Sequence, residues 1–335
     1  MTRFYPLLFK PVLKDYIWGG RNLETKLNRP LPAEGTIAES WEIAAHEDGT
    51  TTVINGPHSG RLLTELLADM QLDLIGTRSA WALERQKFPL LIKLLDANRN
   101  LSVQVHPNDD YALEHEGNEL GKTEMWVVLH AEADAEVILG VKAETTPELF
   151  RQGILEGALE PYLHPIQVKT GDHICVPAGS LHAIMEGLLI AEIQQNSNTT
   201  YRVYDWNRVG ADGQPRPLHI DQALDVINFQ QVEPALPHPQ MIADESVAER
   251  AVLCQNQYFT VERIRLTAEQ SFAGSCSGET FEIWGIIDGT AVVEHDGQSY
   301  PLQAVQFALL PAAMGQFVIR PSADAVFLRT FVDAR

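Results

Sequence analysis

Cysteine is nearly absent: Cys175, Cys254 and Cys276 are the three in 335 residues. That is too few, and odd in number, for a disulfide framework, so a reducing, cytoplasmic setting is the expectation. Basic residues are also scarce, 25 Lys and Arg against 45 Asp and Glu, for a formal net charge of −20. Such a chain lacks the cationic clusters that bind nucleic acid or an anionic membrane surface, and neither is expected as a partner. Long apolar runs are missing too. None reaches the roughly 18 residues of a membrane span, and the opening stretch is broken by Pro6, Lys10, Pro11 and Lys14, so neither a signal peptide nor a span is expected there. The rest of the composition, 45% hydrophobic and 21% charged, belongs to a globular chain with room for one large domain or two modest ones.

Strand signals dominate. Stretches rich in β-branched and aromatic residues recur between Gly, Pro, Asn and Asp at 100–105, 125–129, 136–141, 166–168, 173–176 and 188–194. This spacing predicts a mainly β barrel or sandwich with a few helices. Helical periodicity is confined to 61–74, to a segment opened by Thr146 as N-cap and Pro147 as first helical residue, and to about 221–229. Residues 231–246 carry three prolines and read as a linker. Beyond it, 258–265, 279–288, 290–294, 304–310 and 325–331 read as further strands, with 283–287 and 291–295 joined through Asp288-Gly289 as a hairpin. The expected organisation is a domain over 1–230, the linker 231–246, and a second β domain over 247–335.

Four constellations carry possible chemistry. In 101–108, alternation along a strand sends Ser102, Gln104 and His106 to one face and Val103 and Val105 to the other. In 121–126, Lys122, Glu124 and Trp126 share a face and lead into an apolar strand; on an exposed strand the same charges would be solvated. In 171–182 the pattern is G-x5-P-x-G-x2-H, ending at His182, and this spacing resembles the second motif of the cupin superfamily. Gln104-x-His106 then stands where the first cupin motif would begin. Together Gln104, His106, Glu124 and His182 make a set of two imidazoles, a carboxylate and an amide oxygen, suited to Zn²⁺, with Co²⁺, Mn²⁺ and Fe²⁺ also compatible. One carboxylate against a divalent ion leaves about +1 at the site, favourable to an anionic substrate or a developing oxyanion. Further on, Arg202 and Arg208 flank Tyr204 and Trp206, a pairing suited to a sugar or phosphate, or else a surface loop. In the second domain, 310–316 falls where the G-x5-P-x-G-x2-H motif would recur but has no histidine, so a cupin-like domain without metal ligands is expected there.

The segments 39–49, 88–109, 121–126, 176–184 and 192–208 resemble the type I mannose-6-phosphate isomerases, in their short bacterial form. The resemblance implies a cupin (jelly-roll) β-barrel and the zinc-dependent interconversion of mannose 6-phosphate and fructose 6-phosphate through an enediol. It implies one Zn²⁺ per chain on Gln104, His106, Glu124 and His182. Substrate and catalytic positions fall on Ser102, Gln104, Lys122, Glu192 and Arg202, with Arg202 at the enediolate or phosphate and Lys122 and Glu192 in proton transfer. Longer members carry a histidine just before the lysine, where this chain has Gly121, and a helical insertion that this chain lacks. Two other readings compete: an Fe²⁺ cupin oxygenase, detectable by oxygen uptake, and a non-catalytic sugar-binding cupin. The partner implied is a small sugar phosphate, and the oligomeric state is left open.

Overall fold

The computed structural model describes residues 4–210 and 213–334. The architecture is mainly β, and by contacts the chain divides into two units that interleave in sequence. One comprises Met1–Val12, Trp41–Ile92 and His238–Arg335, the other Leu13–Ser40 and Lys93–Pro237. This partition differs from a linear division at 231–246. The strand Leu7–Lys10 pairs antiparallel with Gln306–Leu310, Leu7 opposite Leu309, and also with Thr52–Val53. A sheet edge offers unpaired amides to any strand that fits, however distant in sequence. Among the described residues no helix is long and apolar enough to cross a membrane.

The unit containing Lys93–Pro237 is built from two sheets. One runs Leu163–Gln167, Glu136–Val141, His182–Ile184, Val103–Val105, Tyr201–Tyr204; the other includes His173–Val176, Glu124–Ala131, Leu188–Gln195 and Leu90–Ala97 as neighbours. Trp126, Val128 and Ile190 of the second meet Val137, Leu139 and Ile184 of the first in a buried layer. On the outer face of the first sheet, Val103, Val105 and Ile138 pack against Phe150 and Ile154 of the helix Pro147–Glu156 and Ala223 of the helix Ile220–Val226. Each fully buried side chain of this kind contributes on the order of 2 kcal/mol. With the valines drawn outward, alternation turns Ser102, Gln104 and His106 toward the space between the sheets. The helix Pro147–Glu156 begins on the expected cap, Thr146 Oγ1 accepting from Leu149 N at 3.3 Å, and ends at Gly157 with φ +66°. The stripe at 61–74 forms Leu63–Met70 and Leu72–Ile75, interrupted at Gln71, whose φ is +48°.

In the other unit an eight-stranded sheet, which includes Thr260–Leu266, Ala325–Phe331, Glu282–Asp288 and Gln306–Leu310, has its core with a four-stranded sheet of Phe272–Cys276, Gly315–Pro321, Ala291–His295 and Gln298–Leu302. The expected hairpin through Asp288-Gly289 does not form. Glu282–Asp288 pairs with Ala325–Phe331 and Gln306–Leu310, whereas Ala291–His295 pairs with Gln298–Leu302 and Gly315–Pro321, so the chain changes sheet at Gly289. The tight hairpin lies one turn later, at Asp296-Gly297, where φ values of +48° and +71° give the mirror-image turn that matches strand twist. Half-buried on the larger sheet, Arg329 makes two bonds to Glu282, at 2.9 and 2.5 Å, and one to Glu262 at 3.2 Å. Arg250 closes the row on Glu262 at 2.9 Å. Arg250 Nη1 also donates to Asp244 Oδ2 at 3.2 Å, so three carboxylates face two guanidinium groups.

Candidate metal and substrate site

Strand register assembles the candidate residues. Gln104 stands opposite His182 on one neighbouring strand and Arg202 on the other. In the facing sheet, Glu124 and Trp126 open the strand Glu124–Ala131, with Glu192 opposite Trp126 on Leu188–Gln195. Trp126 Nε1 donates to Glu124 Oε2 at 3.1 Å and fixes that carboxylate. In the polar run 194–200, Gln194 and Gln195 end the strand Leu188–Gln195, and the irregular chain that follows stays buried as far as Ser197. Gln194 Nε2 donates to the carbonyls of Gln195 and Ser197, and Gln194 to Ser197 are fully buried.

The two histidines are held in one tautomer. His106 Nδ1 lies 2.8 Å from the carbonyl of Thr199, and His182 Nδ1 3.0 Å from that of Ser180. Carbonyls only accept, so each Nδ1 carries the proton and each Nε2 turns a lone pair inward. Burial, followed by the charge of Lys122, lowers the His106 pKa to about 3, and burial lowers that of His182 as well. Both rings are therefore neutral at physiological pH, the form that binds a metal. His106 Nε2 is 3.3 Å and His182 Nε2 3.8 Å from the Glu124 carboxylate, and ligating atoms of the three residues lie within 4.8 Å of one another. Burial opposes ionisation of Glu124, but Lys122 and His106 hold its pKa well below the usual value.

The ammonium of Lys122 stands among these donors, 3.1 Å from His106 Nε2 and hydrogen-bonded to Glu124 Oε1. The donors have gathered the nearest positive charge, as expected of a set that binds a cation. Gln104 turns Nε2 to His182 Nε2 at 3.3 Å, while its Oε1 accepts from Ser102 Oγ at 3.2 Å. A half-turn of the amide exchanges these two atoms and would offer the oxygen. Two neutral imidazoles with anchored Nδ1 atoms, a carboxylate and an amide fit a divalent ion.

Ser102, Lys122, Glu192 and Arg202 line one pocket of roughly 290 Å³ together with Gln104, Glu124 and His182. That volume suits one small molecule rather than a polymer. Three of its charged residues are not singled out by sequence reasoning: Lys93, Glu39 and Arg216. Lys93 is buried in the strand Leu90–Ala97, its ammonium 3.5 Å from carboxylates of both Glu39 and Glu192. Burial works against its charge, yet Glu39 and Glu192 raise its pKa above the ordinary value. Its only signal in the sequence is a lone cation inside the apolar run Leu90–Leu95. The buried groups around the donors thus comprise three carboxylates (Glu39, Glu124, Glu192) and two ammonium groups, an excess of negative charge that a cation would meet.

Burial and the charge of Glu124 raise the Glu192 pKa from 4.5 to about 7, against the pull of Lys93 and Lys122. Between those values the folded, chelator-treated protein retains a proton that the unfolded chain has released. Rising pH across that window therefore removes stability. Glu192→Gln is expected to flatten this fall, read as melting temperature against pH for the two metal-free proteins. Parallel curves would place the titration elsewhere.

Gly121 sits in a tightly packed turn just before Lys122. A Cβ there would lie 2.5 Å from the backbone of Asn108 and Asp109 at the start of the helix Asp109–His115. Gly121 N also donates to Asp109 Oδ1 at 2.8 Å, so the turn that delivers Lys122 is pinned to that helix. No side chain fits at 121 without backbone movement. Gly121→Ala is expected to cost about 1–3 kcal/mol and to displace Lys122, detectable as a lower melting temperature together with lost turnover. An unchanged melting temperature would contradict the close packing.

Comparison with known proteins gives a consistent family. Residues 7–120 match the model of the phosphomannose isomerase type I catalytic domain, and residues 250–328 match that of the mannose-6-phosphate isomerase cupin domain. A probable mannose-6-phosphate isomerase of Bacillus subtilis is 38% identical over 320 residues, covering 96% of this chain and 98% of the relative. The mannose-6-phosphate isomerase of Streptococcus mutans is 43% identical over 262 residues, 78% of this chain and 79% of the relative. The crystal structure of the mannose 6-phosphate isomerase from Bacillus subtilis aligns with a TM-score of 0.86 at 33% identity, covering 97% of this chain and 99% of that one. Matched over the second unit as well, the fold is that of a cupin with a second cupin-like domain.

Proposed function

The chain belongs to the type I phosphomannose isomerases, and we propose that it interconverts mannose 6-phosphate and fructose 6-phosphate as a zinc enzyme, with one Zn²⁺ per chain on Gln104, His106, Glu124 and His182. The observation that carries this reading is the pair of buried neutral histidines, each anchored through Nδ1 to a backbone carbonyl and turned with Nε2 toward one carboxylate. Zn²⁺ bound there would supply positive charge to the oxygens of the sugar.

The remaining chemistry belongs to the chain. An aldose and its ketose differ by a proton carried between adjacent carbons and by the oxidation levels of C1 and C2. A carboxyl group with pKa near 7 both takes and returns a proton at neutral pH, which supports Glu192 as the proton carrier of an enediol route. Lys93, held charged between Glu39 and Glu192, offsets the negative charge that appears when Glu192 ionises. Lys122 presents an ammonium at the donor set, available to an oxygen of the sugar once displaced from Glu124. Arg202 brings N–H donors to the same pocket for enediolate oxygens. Ser102 and Gln104 line its floor.

A coupled assay with mannose 6-phosphate, run before and after chelation and again after Zn²⁺ is restored, tests the reading. Turnover lost on chelation and recovered with Zn²⁺ is expected. Turnover indifferent to chelation would refute the metal dependence, and none in any condition would refute the activity.

A further inference from the structure

Outside the metal donors, the strongest unexplained charge in this acidic chain is a knot of three arginines around one carboxylate. Arg202 sits on the strand Tyr201–Tyr204, Asp205 follows it, Arg208 ends the next turn, and Arg216 returns on the following loop. Asp205 is buried at 6% exposure and takes Arg216 Nε and Nη2 at 2.8 and 2.5 Å and Arg208 Nη2 at 2.5 Å. Three guanidinium charges against one carboxylate leave an excess of two, equal to the charge of a phosphate dianion near neutral pH. The excess is felt locally: burial and then Arg216 lower the Arg202 pKa to about 10, and burial and then Arg202 lower that of His219. A protein of net charge −20 gathers no such cluster for general electrostatics.

The three arginines are not equivalent. Arg208 spends its remaining donors on backbone, Nη1 on the carbonyl of Asn100 at 2.5 Å and Nε on that of Asp205 at 3.2 Å, and it does not line the pocket. Arg202 lines the pocket with its Nη1 on the carbonyl of Pro217. Arg216 also lines the pocket, with Nε and Nη2 docked on Asp205 and Nη1 left over, and its side chain is 26% exposed whereas those of Lys122, Glu124 and Glu192 are at most 5%. It is therefore more open to solvent than the buried groups that line the same pocket. A guanidinium fixed along one edge and open along the other is a ready fork for a phosphoryl group.

We propose that Arg216 is the phosphate-gripping residue of this pocket, pre-oriented by Asp205, and that it sets the preference for a phosphorylated sugar while leaving Arg202 to the reacting end. The proposal rests on the sugar-phosphate reading given above and assigns the residue that recognises the phosphoryl group. Arg216→Gln is expected to raise KM for mannose 6-phosphate tenfold or more, with kcat within about threefold, since the contact is the same in ground and transition states. Competition by inorganic phosphate should weaken in parallel. Should the glutamine variant fail to fold by circular dichroism, Arg216→Lys keeps the charge without the fork, and a severalfold rise in both constants is expected. Unchanged KM and phosphate inhibition in the folded variant would overturn the proposal and leave Arg216 as a tie between its loop and Asp205. A collapse of kcat at constant KM would overturn it too. If the parent enzyme turns over no mannose 6-phosphate yet inorganic phosphate raises its melting temperature and not that of Arg216→Gln, the anion site stands and the isomerase reading falls.

Discussion

His182→Ala is expected to lose bound metal and turnover together. The His182 ring is buried, anchored through Nδ1 to Ser180, packed 4.8 Å from the His106 ring and 5.3 Å from that of Trp126. Removing it takes away one of two nitrogen donors and leaves Glu124 with one imidazole and an amide. A divalent ion at such a centre is worth several kcal/mol to the transition state, so turnover should fall by roughly a thousandfold or more. Alanine also opens a cavity, so melting curves of parent and variant, both treated with chelator, separate the packing loss from the metal loss. Elemental analysis decides the assignment: full occupancy in the purified variant would remove His182 from the ligand set.

Arg202→Lys carries the second large effect. Arg202 already gives Nη1 to Pro217, while Nε is buried without a hydrogen-bond partner among the described residues. Lysine offers a single point of donation, so it cannot hold that carbonyl and also present a second N–H to substrate. If the arginine acts on the enediolate, kcat should fall about 10²–10³-fold, the cost of one well-placed donor in a water-poor site, while KM moves far less. A rise in KM at constant kcat would transfer Arg202 to the phosphate. Both constants within about twofold of the parent would make it a bystander. Read beside Arg216→Gln, the two variants should divide cleanly, one in kcat and the other in KM.

What was legible in the sequence follows from how far apart the cause and its effect lie along the chain. Ser102, Gln104 and His106 could be assigned to one face because a strand alternates every second residue, and the Val103–Val105 face confirms the direction by packing on helices. The turn before His182 could be read because Gly171, Pro177 and Gly179 are local punctuation. Lys93 was not legible as a pocket residue. Its burial and its two carboxylates come from neighbouring strands around residues 39 and 192, and no periodicity in 90–97 foretells them. The same holds for Leu7–Lys10, one of whose partner strands is Gln306–Leu310 at the far end of the chain. At Asp288-Gly289 the local signal was right about a turn and wrong about its consequence, because the same dipeptide type also serves a chain leaving one sheet for another.

Arg329, held between Glu262 and Glu282 and stacked within 4.6 Å of the Phe331 ring centroid, has a consequence for how the protein responds to its surroundings. Its positive charge is part of the polypeptide, present at fixed stoichiometry from the moment of synthesis, and no chelator or scarcity withdraws it. The charge balance around Glu124 and Glu192, by contrast, would follow free metal concentration through mass action. Metal starvation would thus act on folding energy at the donor set around Glu124, while the ion pairs of Arg329 do not depend on metal supply.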